Sequence, residues 1–443
     1  MVMPIETLKA KVRAQKTLIP SLYGDVDFDI VPERFAGKAD DETSLPRFMA
    51  RKYRQDILAD KELMERSLAY TMLGDTVADA YAALMPQFGF RRLVDMLKEA
   101  CDRGVQNVPG APTELFNFIH AMETVPDWLD MELVNEGARV SRIFQAMLSP
   151  FVIRGAFVAT FMNKYSGLPM ALTGTLSNES SAQRIKETAS FFTTATLPGA
   201  LERYGAGFKA AAMVRLMHSM VRFNILKRSK IWDVAVYGIP IPQVDQMPAG
   251  TIGAFLTAFK VVRSGRKDFN RQERALVELS RYQCYLLGLP EDLLPDTPRE
   301  IFNAMITYAS TLRDGYDDST LGEMVRSTMA AYLPPDHSAK NEVLNVFEKS
   351  FAKVFFNQAF LSGDKKLKAN LMGVKPGLKD YLLSAVTGLY VYPRLKAHEI
   401  MGKIPVIEGI ADKFLTQRIN SLLVSYGHAE YTTDATKYKE ASA

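Results

Sequence analysis

The chain has 443 residues, of which 47% are hydrophobic and 23% charged, with a formal net charge of +4. That length supports two or three domain equivalents or one large helical assembly, and so small a charge excess, with no basic stretch interleaved with aromatics, argues against a nucleic-acid partner. Two cysteines, Cys101 and Cys284, exclude a disulfide framework or a cysteine zinc cluster and read as core thiols.

Taken in chain order, residues 1–60 read as a polar lead with turns at Tyr23-Gly-Asp and Ala36-Gly-Lys-Ala-Asp-Asp. The first residues hold neither an apolar export core nor a twin arginine, which points to the cytoplasm. Helical periodicity then predicts helices over 62–85, 88–104, 112–122, 130–166, 179–196, 205–228, 250–263, 270–287, 298–312 and 319–332. Proline and glycine punctuate them at Pro109-Gly, Pro198-Gly, Pro240 to Pro248 and Pro290 to Pro298. Phe151 to Met162 contains Arg154 and reads as a buried helix. No run of about 18 uninterrupted apolar residues occurs, so no transmembrane segment is expected. Beyond residue 335 a helical extension follows, with its clearest amphipathic stretch over Asn341 to Phe356. Leu382 to Tyr392 is apolar enough to cover a core, contact a partner or wall a substrate channel, with core packing the preferred reading, and the last fifteen residues are polar and frayed. Alternating β-type runs are scarce, and the fold class is all-α.

Two segments carry candidate chemistry. In Met213-Val-Arg-Leu-Met-His-Ser-Met-Val-Arg222, the residues Val214, Met217, His218, Val221 and Ile225 share one helical stripe, whereas Arg215, Ser219 and Arg222 share another. A histidine turned toward a core must satisfy its ring nitrogens, either by bonding a backbone carbonyl or by ligating a metal such as haem iron. His120, in Phe116-Asn-Phe-Ile-His120, is the main rival for a buried ligand; His337 falls in a loop, and His398 and His428 lie in the C-terminal third. Upstream, Ser177-Asn-Glu-Ser-Ser offers N-caps to a helix on which Arg184, Glu187, Thr188, Phe191 and Ala195 share a stripe. Arg184 and Glu187 form either a solvated i, i+3 ion pair or part of a polar pocket.

Four stretches together resemble the haem b oxygenase family of bacterial latex clearing proteins (rubber oxygenases) and the fungal mycophenolic-acid pathway oxygenase. They are Gly74-Asp-Thr-Val-Ala-Asp79, Thr124-Val-Pro-Asp-Trp-Leu-Asp130, Arg184-Ile-Lys-Glu-Thr188 through Leu197-Pro-Gly199, and Val214-Arg-Leu-Met-His218 followed by Tyr237-Gly-Ile-Pro-Ile-Pro-Gln-Val-Asp245. Their order carries the likeness over roughly residues 60 to 310. The resemblance implies a globin-like helical core with additional N- and C-terminal helices. It implies a haem-binding domain over 61–315 between the 1–60 lead and a 316–428 extension, with a 429–443 tail.

The family pattern further implies that His218 ligates the iron of haem b and that Arg184 and Thr188 sit on the distal side. There a positioned cation and a hydroxyl would stabilise negative charge developing on dioxygen; Arg184 has the alternative role of pairing with a haem propionate. Two departures stand out. Glu187 occupies the place where latex clearing proteins have a lysine, with Lys186 turned about 100° away, and no carboxylate stands near Leu168 and Pro169 where the rubber oxygenase pattern has a glutamate. Glu187 could itself move protons. The activity implied is oxygenation of a hydrophobic, unsaturated or isoprenoid-like small molecule with dioxygen. A haem-binding sensor or carrier without turnover, with Glu187 or water capping the iron, and an all-α scaffold without haem are the alternatives.

Overall fold

The computed structural model describes residues 3–173, 178–361 and 366–427. Among them the regular structure is helical, apart from two isolated antiparallel bridges, Phe35 with Leu312 and Thr43 with Arg313. The all-α expectation holds. Ser177, His428 and the 429–443 tail lie outside the described residues.

The helices divide into two units. One runs to Val134 and resumes from Leu201 to Gly315; the other takes Asn135–Ala200 and the described chain from Tyr316 to Gly427. In the first unit, helix Ala206–Arg228 is buried along nearly its whole length and packs against helices Thr76–Ala82, Phe90–Arg103 and Arg271–Leu286. The second unit centres on helices Ser149–Ala159, Asn178–Thr194, Ala339–Phe360 and Leu378–Met401. Its best-buried charge is Arg154, which donates to Glu348 (2.7 Å) and to the carbonyls of Thr328 (2.6 Å) and Ala331 (3.0 Å). Cys101 and Cys284 are buried free thiols, as expected, and burial pushes each pKa up to about 12.

Several sequence expectations are corrected. The 1–60 lead contains helices Ile5–Leu18 and Arg47–Ala59. The predicted 62–85 helix breaks after Thr71, because Gly74 has room for no Cβ beside the Tyr23 hydroxyl and Asp75 caps a new helix by accepting from the amides of Val77 and Ala78. The predicted 130–166 helix breaks twice, into Met131–Met147, Ser149–Ala159 and Lys164–Leu172, with a bend of 98° at the first break. Pro150 has no amide proton to give to the Ala146 carbonyl. Arg418 supplies one instead, Nε to oxygen, at 2.7 Å. Finally, Leu382 to Tyr392 is not core: only Thr387 and Val391 of that stretch are buried. No single described helix is long and apolar enough to cross a membrane.

Candidate functional site

His218 lies midway along helix Ala206–Arg228, in the first unit. Its residue surface keeps some exposure, yet the ring is enclosed deeply enough that burial lowers its pKa to about 4, with the Gln246 hydrogen bond opposing the shift. The imidazole is therefore neutral at physiological pH. Nδ1 lies 2.9 Å from Gln246 Oε1, an acceptor, so Nδ1 carries the proton and donates, and the lone pair resides on Nε2. The partner is a side-chain amide rather than the backbone carbonyl that a plain core histidine would use. Gln246 is held in turn, since its Nε2 donates to Gln243 Oε1 (3.1 Å) and the Gln243 amide donates to the Leu73 carbonyl (2.8 Å). A neutral imidazole with one nitrogen fixed by a hydrogen bond and a lone pair on the other is the arrangement a metal-ligating histidine needs.

The polar stripe beside His218 anchors its helix. Arg215 pairs with Asp75 (2.6 Å), and Arg222 pairs with Asp79 while donating to the Pro240 carbonyl (2.9 Å) and to that of Ile241. Asp79 also accepts from the Tyr23 hydroxyl (2.6 Å). Burial raises the carboxyl of Asp75, but the Arg215 charge outweighs it and holds the group below its ordinary range. The Arg222 guanidinium also secures Ile241 in a left-handed conformation (φ 48°), which a β-branched residue rarely adopts. Asp75, Asp79, Arg215, Arg222, Gln243 and Gln246 were given no role by sequence reasoning. The available signal was an Asp pair four residues apart and an Arg pair seven apart, each returning to one helical face.

Helix Gln243–Gly250 presents Gln246 to His218 and turns Val244 and Met247 to a separate cavity of about 590 Å³ within the same unit. Among the cavity's lining residues, Asp292 accepts from the Tyr70 hydroxyl (2.7 Å) and from Arg66 (3.2 Å). None of the sequence-predicted site residues lines it.

Arg184, Glu187 and Thr188 belong to the second unit, on helix Asn178–Thr194. Arg184 and Glu187 meet at 3.1 Å, and Gln183 Nε2 donates to the other Glu187 oxygen at 3.0 Å. The pair is part-buried rather than fully solvated: the Arg184 side chain keeps 23% exposure, whereas Glu187 is buried. That burial raises its pKa against the opposing influence of Arg184 and Gln183, while half-burial lowers that of Lys186. Thr188 is half-buried. His120 is corrected as a rival: it is exposed, at the end of helix Thr113–Glu123. His337 pairs with Glu342 at the surface, and His398 Nδ1 donates to the Arg394 carbonyl. Among the described residues no cluster of three or more His, Cys, Asp or Glu could hold a metal ion.

Residues 142–342 match the model of a family described as ER-bound oxygenase mpaB/B'/rubber oxygenase, catalytic domain. That segment contains Arg184, Glu187, Thr188 and His218. No curated protein gave a match. Among solved structures, latex clearing protein LCP in the closed state aligns with a TM-score of 0.54 at 18% identity, covering 80% of this chain and 91% of that one, a likeness of fold. The resemblance read from the motifs is borne out over residues 142–342, and with it the reading of the chain as an oxidoreductase of the oxygenase class.

Proposed function

We propose that the chain is a haem b-dependent oxygenase in which His218 Nε2 ligates the iron, with Arg184, Glu187 and Thr188 on the distal side and a hydrophobic, unsaturated or isoprenoid-like molecule as substrate. The observation that carries this reading is the Gln246-fixed, neutral imidazole of His218. When bound, the haem would supply the electrons and the metal face on which dioxygen is activated. The protein's own contributions follow from its side chains. Gln246 orients the ligating ring and sets its tautomer. Arg184 presents a fixed positive charge to the negative charge that develops on dioxygen, and the Thr188 hydroxyl adds a donor. Glu187 holds a proton more tightly than an exposed glutamate, because its burial outweighs the pull of Arg184 and Gln183, and this suits it to deliver and recover one.

The decisive experiment is an absorption spectrum of the purified protein after incubation with haem b. One non-covalent haem per chain, with a Soret band, is expected; the chain has no Cys-x-x-Cys-His sequence for covalent attachment. No Soret band after reconstitution overturns the reading. With a carboxylate where rubber oxygenases carry lysine, the ferric protein should be high-spin, and Glu187→Lys should shift it to a six-coordinate low-spin form. A wild-type spectrum already showing two nitrogen ligands would remove Glu187 from the distal side. Arg184→Ala should keep its haem and lose about 10²- to 10³-fold in turnover, the usual loss for one positioned donor. Unchanged turnover would assign Arg184 to a propionate or to the surface.

A further inference from the structure

The C-terminal pair of helices in the second unit, Leu378–Met401 and Pro405–Tyr426, carries an outward apolar stripe. Leu378, Leu382, Val386 and Leu389 recur every three or four residues and are 54% to 78% exposed. Val406 and Ile410 of the second helix, again four apart, are 85% and 71% exposed. Single exposed apolar residues are ordinary, but a continuous stripe on one face marks an interaction surface.

The charges around the stripe identify what fits it. The exposed charged side chains described between Lys375 and Tyr426 are basic at Lys375, Lys379, Arg394, Lys396, Lys403 and Lys413, with Glu399, its side chain 42% exposed beside Lys396, as the acidic exception. All four carboxylates of that span are drawn onto cations, Asp380 onto Lys353 (3.0 Å), Glu399 onto Lys396 (2.9 Å), Glu408 onto Arg139 and Asp412 onto Arg142 (2.7 Å). Tyr381, Tyr390 and Tyr392 are exposed among the aliphatic residues, and such rings settle at the level of lipid headgroups. A second copy of the chain on this face would press like charges together. An anionic membrane surface meets both features at once.

We propose that these two helices lie on an anionic lipid bilayer, their apolar stripe entering the headgroup–acyl boundary and their lysines and arginines engaging the lipid anions. The attachment is interfacial, since neither helix is apolar enough to span. The face lies outside the segment matched by the oxygenase family model, and the inference is independent of the haem assignment.

The test is flotation of the full chain with vesicles of phosphatidylcholine alone and of phosphatidylcholine with phosphatidylserine. Binding to the anionic vesicles, weakened by salt, is expected. The double variants Leu382→Asp/Leu389→Asp and Lys379→Glu/Lys396→Glu should each reduce it by about tenfold or more. Because these side chains are exposed, thermal melts of both variants should match wild type, which separates lost binding from lost folding. Absence of vesicle binding, or equal binding to neutral vesicles that ignores the lysine variant, overturns the proposal. So does a dimer in sedimentation equilibrium that Leu382→Asp/Leu389→Asp dissociates in a protein that ignores vesicles, which would assign the face to a second copy. Vesicle binding that emerges only after deletion of residues 428–443 would assign it to the tail and equally overturns the proposal.

Discussion

Replacing His218 with alanine should abolish stable haem uptake, while His120→Ala leaves it unchanged. Loss of a hydrogen-bond partner behind a metal ligand typically costs about 10- to 100-fold in metal affinity, and loss of the ligand itself costs more. Gln246→Ala therefore serves as the graded variant. It should retain haem with affinity lowered within that range, because the His218 ring stays but its tautomer and orientation are no longer set. Added imidazole should restore a Soret band to His218→Ala, which distinguishes a missing ligand from a collapsed helix. Full haem occupancy in His218→Ala without imidazole would move the axial ligand elsewhere.

The second large effect is expected at Arg222. It and Asp79 are fully buried, and removal of one partner strands a charge where water cannot reach it. Arg222→Leu should destabilise the protein by about 3 to 5 kcal/mol, measured by urea unfolding. Replacing both partners with leucine removes the stranded charge and should recover part of this loss. Recovery should stop short of wild type, because the Pro240 and Ile241 carbonyls lose their donor and the Tyr23 hydroxyl its acceptor, each worth about 1 to 3 kcal/mol when buried and unpaired. A single variant as stable as wild type would show that the pair contributes little. Acid should act in the same region through Asp75, whose folded pKa is depressed. Its contribution is present above the ordinary aspartate range and is lost as pH falls through the lower folded value. Asp75→Asn should therefore flatten the acid limb of stability measured from pH 5 downward.

The helical class and most helix positions were legible because apolar residues recur at helical spacing. Where buried positions are polar the pattern fails. In Ile5–Leu18 the stripe runs Leu8, Val12, Gln15, and Gln15 earns its place by donating to the Val12 and Met72 carbonyls and accepting from the Gly74 amide. In Arg47–Ala59 the buried residues are Arg54 and Ile57, and Arg54 donates to the carbonyls of Ser310 and Lys38. A sequence shows such residues as surface-like, and only their distant partners reveal them as core. The same holds at the site. His218 was visible as a histidine among apolar neighbours, but Gln246 is 28 residues away, and nothing local distinguishes it as the group that fixes the ring. His120 shows the converse, an apolar setting in sequence that turns outward because Leu115, Phe118, Ile119 and Met122 take the buried face.

The second unit is assembled from two stretches with over a hundred residues of the first unit threaded between them. Its buried cation, Arg154, leaves the ribosome 194 residues ahead of Glu348, its counter-charge. At ordinary elongation rates of about 5 to 20 residues per second, that interval is roughly 10 to 40 s. Throughout it, helix Ser149–Ala159 exists without the helix that buries it, while the first unit can complete its own core. The nascent chain thus passes through a long window of exposed apolar surface, and its yield in the cell should depend on chaperone supply and translation speed more steeply than the finished protein's stability would suggest.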